Sequence, residues 1–258
     1  MGRIRFLTEF WWFGIRQAQA SLFAGALLFA ILASKFFWPL DFGLARYDFL
    51  FCYAILIQLI FINLRLESWE ELRVILVFHV VGTLMELFKT RIGMWEYPES
   101  NVIRIGGVPL FSGFMYSAVG SYLARVWRLF DFRFEHFPPT RWMVVLCVLI
   151  YANFFTHHYM PDMRYALFAF SAVLFYRTKV FFRPRDTYYW MPLLLGFALV
   201  SLFIWFAENA GTLGQIWIYP SQKQGWHMVS PEKIGSWYLL MLISFVLVSL
   251  LHKEKHDA

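Results

Sequence analysis

The sequence predicts an all-α, polytopic membrane protein, a bundle of about eight transmembrane helices. Three observations carry that expectation. The 258 residues are 60% hydrophobic with only 16% charged, giving a mean hydropathy of +0.54. Apolar stretches of near-spanning length recur along the whole chain, and no polar stretch is long enough for a soluble domain. Aromatic residues make up 21%, including 30 Phe and 12 Trp, as expected where rings line both membrane interfaces. The whole of 1–258 is therefore expected to be one integral membrane domain.

Taken in order, the N-terminal stretch MGRIRFLTEFWWFGIRQ has no small-residue cleavage site. It reads as an amphipathic helix on the inner surface. A bilayer core of about 30 Å needs roughly 20 helical residues. Apolar segments of about that size fall near 18–38, 47–64, 72–92, 108–127, 142–160, 162–180, 188–208 and 234–251. The fifth and sixth are weakest, because His157, His158, Asp162 and Arg164 crowd the turn between them, and a re-entrant hairpin is the alternative. With eight spans, 15 Lys and Arg fall on the side of both termini and 8 on the other. That excess places both termini in the cytoplasm, consistent with a bacterial inner membrane. It also accounts for the net charge of +6 without invoking nucleic acid. Cys52 and Cys147 fall within spans, too few for a disulfide framework.

The segment Glu86–Tyr116 recurs without a gap at Glu208–Tyr238, with eight identities in 31 positions at an offset of 122. The skeleton is E-x3-T-x4-W-x-Y-P-x10-P-x3-G-x2-Y, and it reads as an internal duplication. Both copies face the non-cytoplasmic side, so the halves, roughly 1–128 and 129–258, form two parallel four-helix repeats. Pro109 and Pro231 open the following spans, and Gly113 and Gly235 permit close helix approach.

Each copy begins with an acid inside an apolar segment. If Trp95, Tyr97, Trp217 and Tyr219 are interfacial anchors, Glu86 and Glu208 lie about 13 Å deeper, near the bilayer midplane. A charged carboxylate there costs several kcal/mol unless paired, protonated or facing a polar cavity. Lys89 stands three residues after Glu86, within reach of an ion pair, whereas its counterpart is Gly211 and Glu208 gains Asn209 beside it. Environments that push two carboxyls apart assign acid and base roles. His79, seven residues before Glu86, extends the face. The bland alternative is a structural salt bridge at Glu86 with aromatic anchors around it. His157, His158 and Asp162 are weak candidates for a metal, since adjacent imidazoles rarely address one ion. No glycine-rich phosphate loop, HExxH or nucleophile elbow is present, and no cofactor is expected.

The stretches GTLMELFKTRIGMWEYPE, GGVPLFSGFMY and WFAEN resemble a bacterial integral-membrane family of unknown function, number eight-seventeen in that series. That resemblance runs the length of the chain and implies no activity. More distantly, Glu86, Thr90, Gly93, Trp95, Tyr97 and Pro109 are similar to a motif of bacterial carotenoid hydratases. Glu208, Trp217, Tyr219, Pro231 and Glu232 partly match integral-membrane lycopene cyclases. The cyclases' second acid is replaced here by Lys233. These likenesses imply a membrane enzyme that protonates or hydrates an alkene of an isoprenoid or other polyene lipid. Glu208 would be the donor, Glu86 with Lys89 the base or cation stabiliser, and Trp95, Tyr97, Asn209, Trp217 and Tyr219 would line the substrate. The alternatives are a proton-coupled transporter using the same acids and a non-catalytic scaffold.

Overall fold

The structure, a computed structural model, describes residues 3–38 and 43–251. Lys253 and Lys255, which enter the charge count, lie outside the described residues. Helices dominate. In chain order they are α1 (Arg3–Ala20), α2 (Leu22–Phe37), α3 (Arg46–Asn63), α4 (Trp69–Arg91), α5 (Phe111–Leu129), α6 (Thr140–Thr156), α7 (Arg164–Phe175), α8 (Leu193–Leu213) and α9 (Lys233–Leu251). The eight expected apolar segments correspond to α2 through α9, and the N-terminal amphipathic stretch to α1.

Length and composition suffice for membrane crossing in three of the described helices, α3, α8 and α9, and in a fourth span if α1 and α2 together form one. Eight full crossings are thus more than these helices supply by length and composition. With 12 residues, α7 is about 18 Å long, short of the roughly 30 Å hydrocarbon core. Charged residues interrupt α4 at both ends. Exposed Leu56, Leu59, Val80, Phe203 and Phe206 on these helices suit a lipid surround, and the protein is an integral membrane protein.

The sequence reading contained no strands, yet five short ones form among the described residues. β1 (Arg104–Ile105) and β2 (Val108–Pro109) make a tight hairpin before α5. β3 (Arg133–Glu135), β4 (Lys179–Phe182) and β5 (Tyr189–Pro192) make an antiparallel sheet in which Glu135 faces Lys179 and Phe182 faces Tyr189.

The chain packs as two compact units, one of Ala20–Arg125 and Phe206–Val229, the other of Met1–Gln19, Val126–Trp205 and Ser230–Ala258. The first has a core from α2, α3 and α5, with Phe23, Leu27, Tyr47, Leu50, Phe111 and Phe114 buried together. The second is an aromatic core in which Phe245 meets Phe197 at 5.0 Å, Trp127 at 5.6 Å and Phe134 at 5.8 Å between ring centres. Such ring pairs add about 0.5–1.5 kcal/mol each beyond area burial. In this unit Glu9 of α1 accepts backbone N–H bonds from Arg185, Asp186 and Thr187 at 3.1–3.2 Å, fixing the β4–β5 turn.

Candidate functional site

The candidate site lies within the unit of Ala20–Arg125 and Phe206–Val229. Helix α4 opens with a capping box, Glu71 N–H to Ser68 Oγ at 3.1 Å and Ser68 N–H to Glu71 Oε2 at 2.7 Å. It closes with a Schellman motif: Gly93, at φ +74, donates to Thr90 O and Met94 donates to Lys89 O, both at 3.0 Å. The left-handed residue reverses the chain there. The reversal brings the next residues back beside the last turn of α4. Trp95 Nε1 and the Tyr97 hydroxyl both donate to Glu86 Oε2 at 2.7 Å. The Tyr116 hydroxyl, from α5, donates to Oε1 at 2.8 Å. Tyr116 gets close because Gly82 has no side chain: a Cβ on it would sit 2.5 Å from the Tyr116 ring.

The second copy repeats the device. Helix α8 ends at Leu213, where Gln215 adopts φ +53, its N–H donates to Thr212 O at 2.9 Å, and Ile216 N–H reaches Gly211 O at 3.2 Å. Gln215 stands 122 residues after Gly93. The Tyr219 hydroxyl then donates to Glu208 Oε1 at 2.5 Å, as Tyr97 does to Glu86. Gly211, opposite Lys89 in the alignment, leaves room for the Trp217 indole, which a Cβ would meet at 2.5 Å.

These local structures meet. Glu96 and Ile218, the middle residues of the two Trp-x-Tyr-Pro motifs, form an antiparallel bridge with N–H to O distances of 3.1 and 3.0 Å. Trp95 stands edge-on to Tyr219 at 6.1 Å. Glu86, Lys89 and Glu208 are each only 3% exposed. The result is one buried aromatic cluster carrying two carboxyls, in which tyrosine hydroxyls touch both acids. Chemically it can hold, release and relay a proton away from water.

Two sequence expectations change. The aromatic residues are not outward-facing anchors, since Trp95, Tyr97 and Tyr219 turn their polar atoms inward to the acids. The 13 Å depth also fails, because it assumed a helix continuing to Trp95. Glu86 and Glu208 each lie five residues before the end of their helix, about 7–8 Å from it at 1.5 Å per residue. The helix approach at Gly113 is found: its Cβ position lies 2.5 Å from Thr83 Oγ1.

Lys89 sits with its ammonium 5.8 Å from the Phe88 ring centre. His79, in the middle of α4, packs on Phe114, 4.4 Å between ring centres. Asn209 Oδ1 accepts from Val229 N–H at 2.9 Å and so fastens the loop that follows Tyr219. His157, His158 and Asp162 do not converge on an ion. His157 Nδ1 is 2.8 Å from Asn153 O, and Asp162 accepts from Asn153 at 3.1 Å and from Arg164 Nε at 2.6 Å. Among the described residues no group of three or more His, Cys, Asp or Glu is placed to hold a metal. Burial alone would raise the Asp162 carboxyl, but the bonds from Asn153 and Arg164 outweigh it and hold the group below the ordinary aspartate value.

Sequence reasoning missed Tyr116 and the consecutive residues Arg46, Tyr47 and Asp48 at the start of α3. Arg46 pairs with Glu99 at 2.6 Å and donates to Gly214 O at 3.1 Å. Tyr47 donates to Ile216 O at 2.8 Å. Asp48 accepts from Val102 N–H, Ile103 N–H and Asn101 at 2.8–2.9 Å. One short segment thereby fastens the loops of both copies. Tyr116 closes the repeated skeleton and was findable there, and three consecutive polar residues opening an apolar segment were a weaker signal.

The fold and this cluster define a helical integral membrane protein with a buried two-carboxyl centre. The chain belongs to the family described as Protein of unknown function (DUF817), which matches residues 9–245, as its motifs suggested. It is 42% identical over 246 residues to the uncharacterized protein YoaT of Bacillus subtilis (strain 168), spanning 95% of this chain and 92% of that one. Its fold resembles the crystal structure of MvINS, an Insig homologue from Mycobacterium vanbaalenii, with a TM-score of 0.52 and 14% identity over 74% of this chain and 98% of that one. A cross-linked MvINS trimer gives a TM-score of 0.51 at 13% identity with equal coverage. Identity at that level relates the folds alone.

Proposed function

We propose that the two-carboxyl centre transfers protons to an apolar lipid, protonating or hydrating an alkene of an isoprenoid or other polyene. The observation that carries this reading is a pair of buried acids in one aromatic cluster, each bonded to a tyrosine hydroxyl. Glu86 accepts from an indole N–H and two phenols, the setting of a carboxylate acting as base. Glu208 takes the Tyr219 bond and is the proton donor. In the first step the alkene π pair forms a C–H bond with the Glu208 proton, leaving a cation on the neighbouring carbon. Aromatic faces attract such a cation. In hydration, water adds at that carbon and its proton passes to Glu86, and a proton relayed along the tyrosines restores Glu208. Such chemistry needs no cofactor.

The centre sits in a duplicated frame, read as two parallel repeats with both termini in the cytoplasm of a bacterial inner membrane. The antiparallel bridge between Glu96 and Ile218, 122 residues apart, supports that reading. Helices α5 and α9, 19 residues each, begin 122 residues apart, which supports the duplication.

One observation favours a different reading: a carboxylate already met by three donors also suits a purely structural lock in a scaffold. Mass spectra of the lipids that co-purify with wild type, Glu86→Gln and Glu208→Gln separate the two. The enzyme reading expects a defined isoprenoid or polyene whose identity changes between wild type and Glu208→Gln. Bulk phospholipid alone in all three would contradict it, and a loss of stability alone would favour the scaffold.

A further inference from the structure

The unit that holds α6, α7 and the β3–β5 sheet carries a groove of about 470 Å³, within the range of small-ligand sites. It opens where the start of α6 and the end of α7 come together beside the sheet. Its walls are apolar, formed by Phe137, Trp142, Phe170, Val173 and Leu174, while His136 and Arg177 stand among the lining residues. Val173 is 71% exposed and Trp142 46%, so the apolar floor is open to the surroundings.

The polar end of the groove is electropositive and organised. The His136 carbonyl accepts from the Thr178 hydroxyl at 3.0 Å, which ties the two sides together. The nearby acid, Glu135, is occupied by Lys179 at 3.2 Å and faces His136 Nδ1 at 3.5 Å. Arg177 forms no ion pair among the described residues. Arg141 lies in the first turn of α6, its guanidinium 5.8 Å from the Trp142 ring centre. That turn has Pro139 as N-cap with no side-chain cap, so its first N–H groups add partial positive charge.

We propose that this groove binds an anionic phospholipid, with an acyl chain along Phe137, Trp142 and Val173 and the phosphate at Arg177 and the start of α6. A free anion would leave the apolar walls uncovered, and a neutral lipid would leave the arginines without a counter-charge. Basic pockets between membrane helices are suited to such headgroups, and Trp142 with Tyr176 supplies the aromatic rim expected at headgroup level. The site is independent of the two-carboxyl centre.

The test uses the full-length protein in mild detergent, titrated with phosphatidylglycerol or phosphatidylcholine of identical acyl chains, with retained lipid counted by native mass spectrometry. Wild type should prefer phosphatidylglycerol by about tenfold, the effect of one or two well-placed basic groups. Arg177→Gln should lose most of that preference, Val173→Trp should lower retention of both lipids by filling the groove, and inorganic phosphate should not compete. Equal retention of the two lipids by wild type, or an undiminished preference in Arg177→Gln, would overturn the proposal. If Val173→Trp does not fold, the Arg177→Gln comparison decides alone.

Discussion

Glu96 and Ile218 exchange both backbone hydrogen bonds, at 3.1 and 3.0 Å, and they occupy equivalent positions 122 residues apart. The bridge holds the Trp-x-Tyr-Pro motif of one copy against that of the other, so the aromatic residues beside it and the acids they touch form one cluster. Three predictions concern this site, and a fourth concerns the α6–α7 turn.

Tyr97→Phe and Tyr219→Phe should each weaken the cluster. Removing the Tyr97 hydroxyl leaves Glu86 with Trp95 and Tyr116 as donors, and Tyr219→Phe removes the corresponding bond at Glu208. A hydrogen bond to a charged group contributes about 1.5–3 kcal/mol, and loss of one donor among several should cost the lower part of that range. Unfolding titrations in mixed detergent should show a measurable loss for both variants. An unchanged stability in either would argue that its hydroxyl does not hold the acid.

Gly82→Ala should displace Tyr116 from Glu86, because the added Cβ would stand 2.5 Å from the Tyr116 ring. Overpacking of this kind costs about 1–3 kcal/mol. Combining Gly82→Ala with Tyr116→Phe should cost less than the sum of the two single changes, since both act on one contact. Additive effects would show that Gly82 acts elsewhere.

Gly93 and Gln215 both hold left-handed backbone at the ends of α4 and α8. Gly93→Ala should destabilise by about 1–2 kcal/mol, the cost of placing an L side chain in that conformation. Gln215→Gly relieves the corresponding strain and should be nearly neutral. Hydrogen exchange at Met94 and Ile216, whose N–H groups close the two motifs, reports each end separately.

Asp162 should make the α6–α7 turn acid-sensitive. Its carboxyl lies below the ordinary value in the folded protein, so its contribution is complete above the unfolded value of about 3.9 and is lost as pH falls through the lower folded value. Hydrogen-exchange protection at the start of α7, taken relative to the intrinsic exchange rate and followed from pH 6 down to about 3, should fall at the acid end, and Asp162→Asn should flatten that profile.

How much of this was legible in the sequence depends on the kind of signal. Apolar segments about 20 residues long located α2 through α9, because hydropathy marks a lipid-facing helix directly. The repeat contains both acids and four residues that touch them, Trp95, Tyr97, Tyr116 and Tyr219, of which Tyr116 was not read as part of the site. It could not show that α4 stops at Arg91, since that turns on the left-handed geometry of Gly93. The depth estimate and the anchor reading failed together for that reason. Strands of two to four residues such as Lys179–Phe182 carry no usable periodicity beside long apolar helices. Arg46, Tyr47 and Asp48 gain their partners from loops 50 to 170 residues away, beyond the reach of any local pattern.

The most direct test of the two-carboxyl reading follows the proton itself. Membranes holding the wild type or Glu208→Gln are incubated in D2O with an isoprenoid or polyene extract, and the lipids are examined by mass spectrometry for deuterium bound to carbon. Proton transfer from Glu208 to an alkene predicts deuterium in a defined lipid with wild type and none with Glu208→Gln. A correctly folded Glu208→Gln that labels as the wild type does, or a wild type that labels nothing, would contradict it.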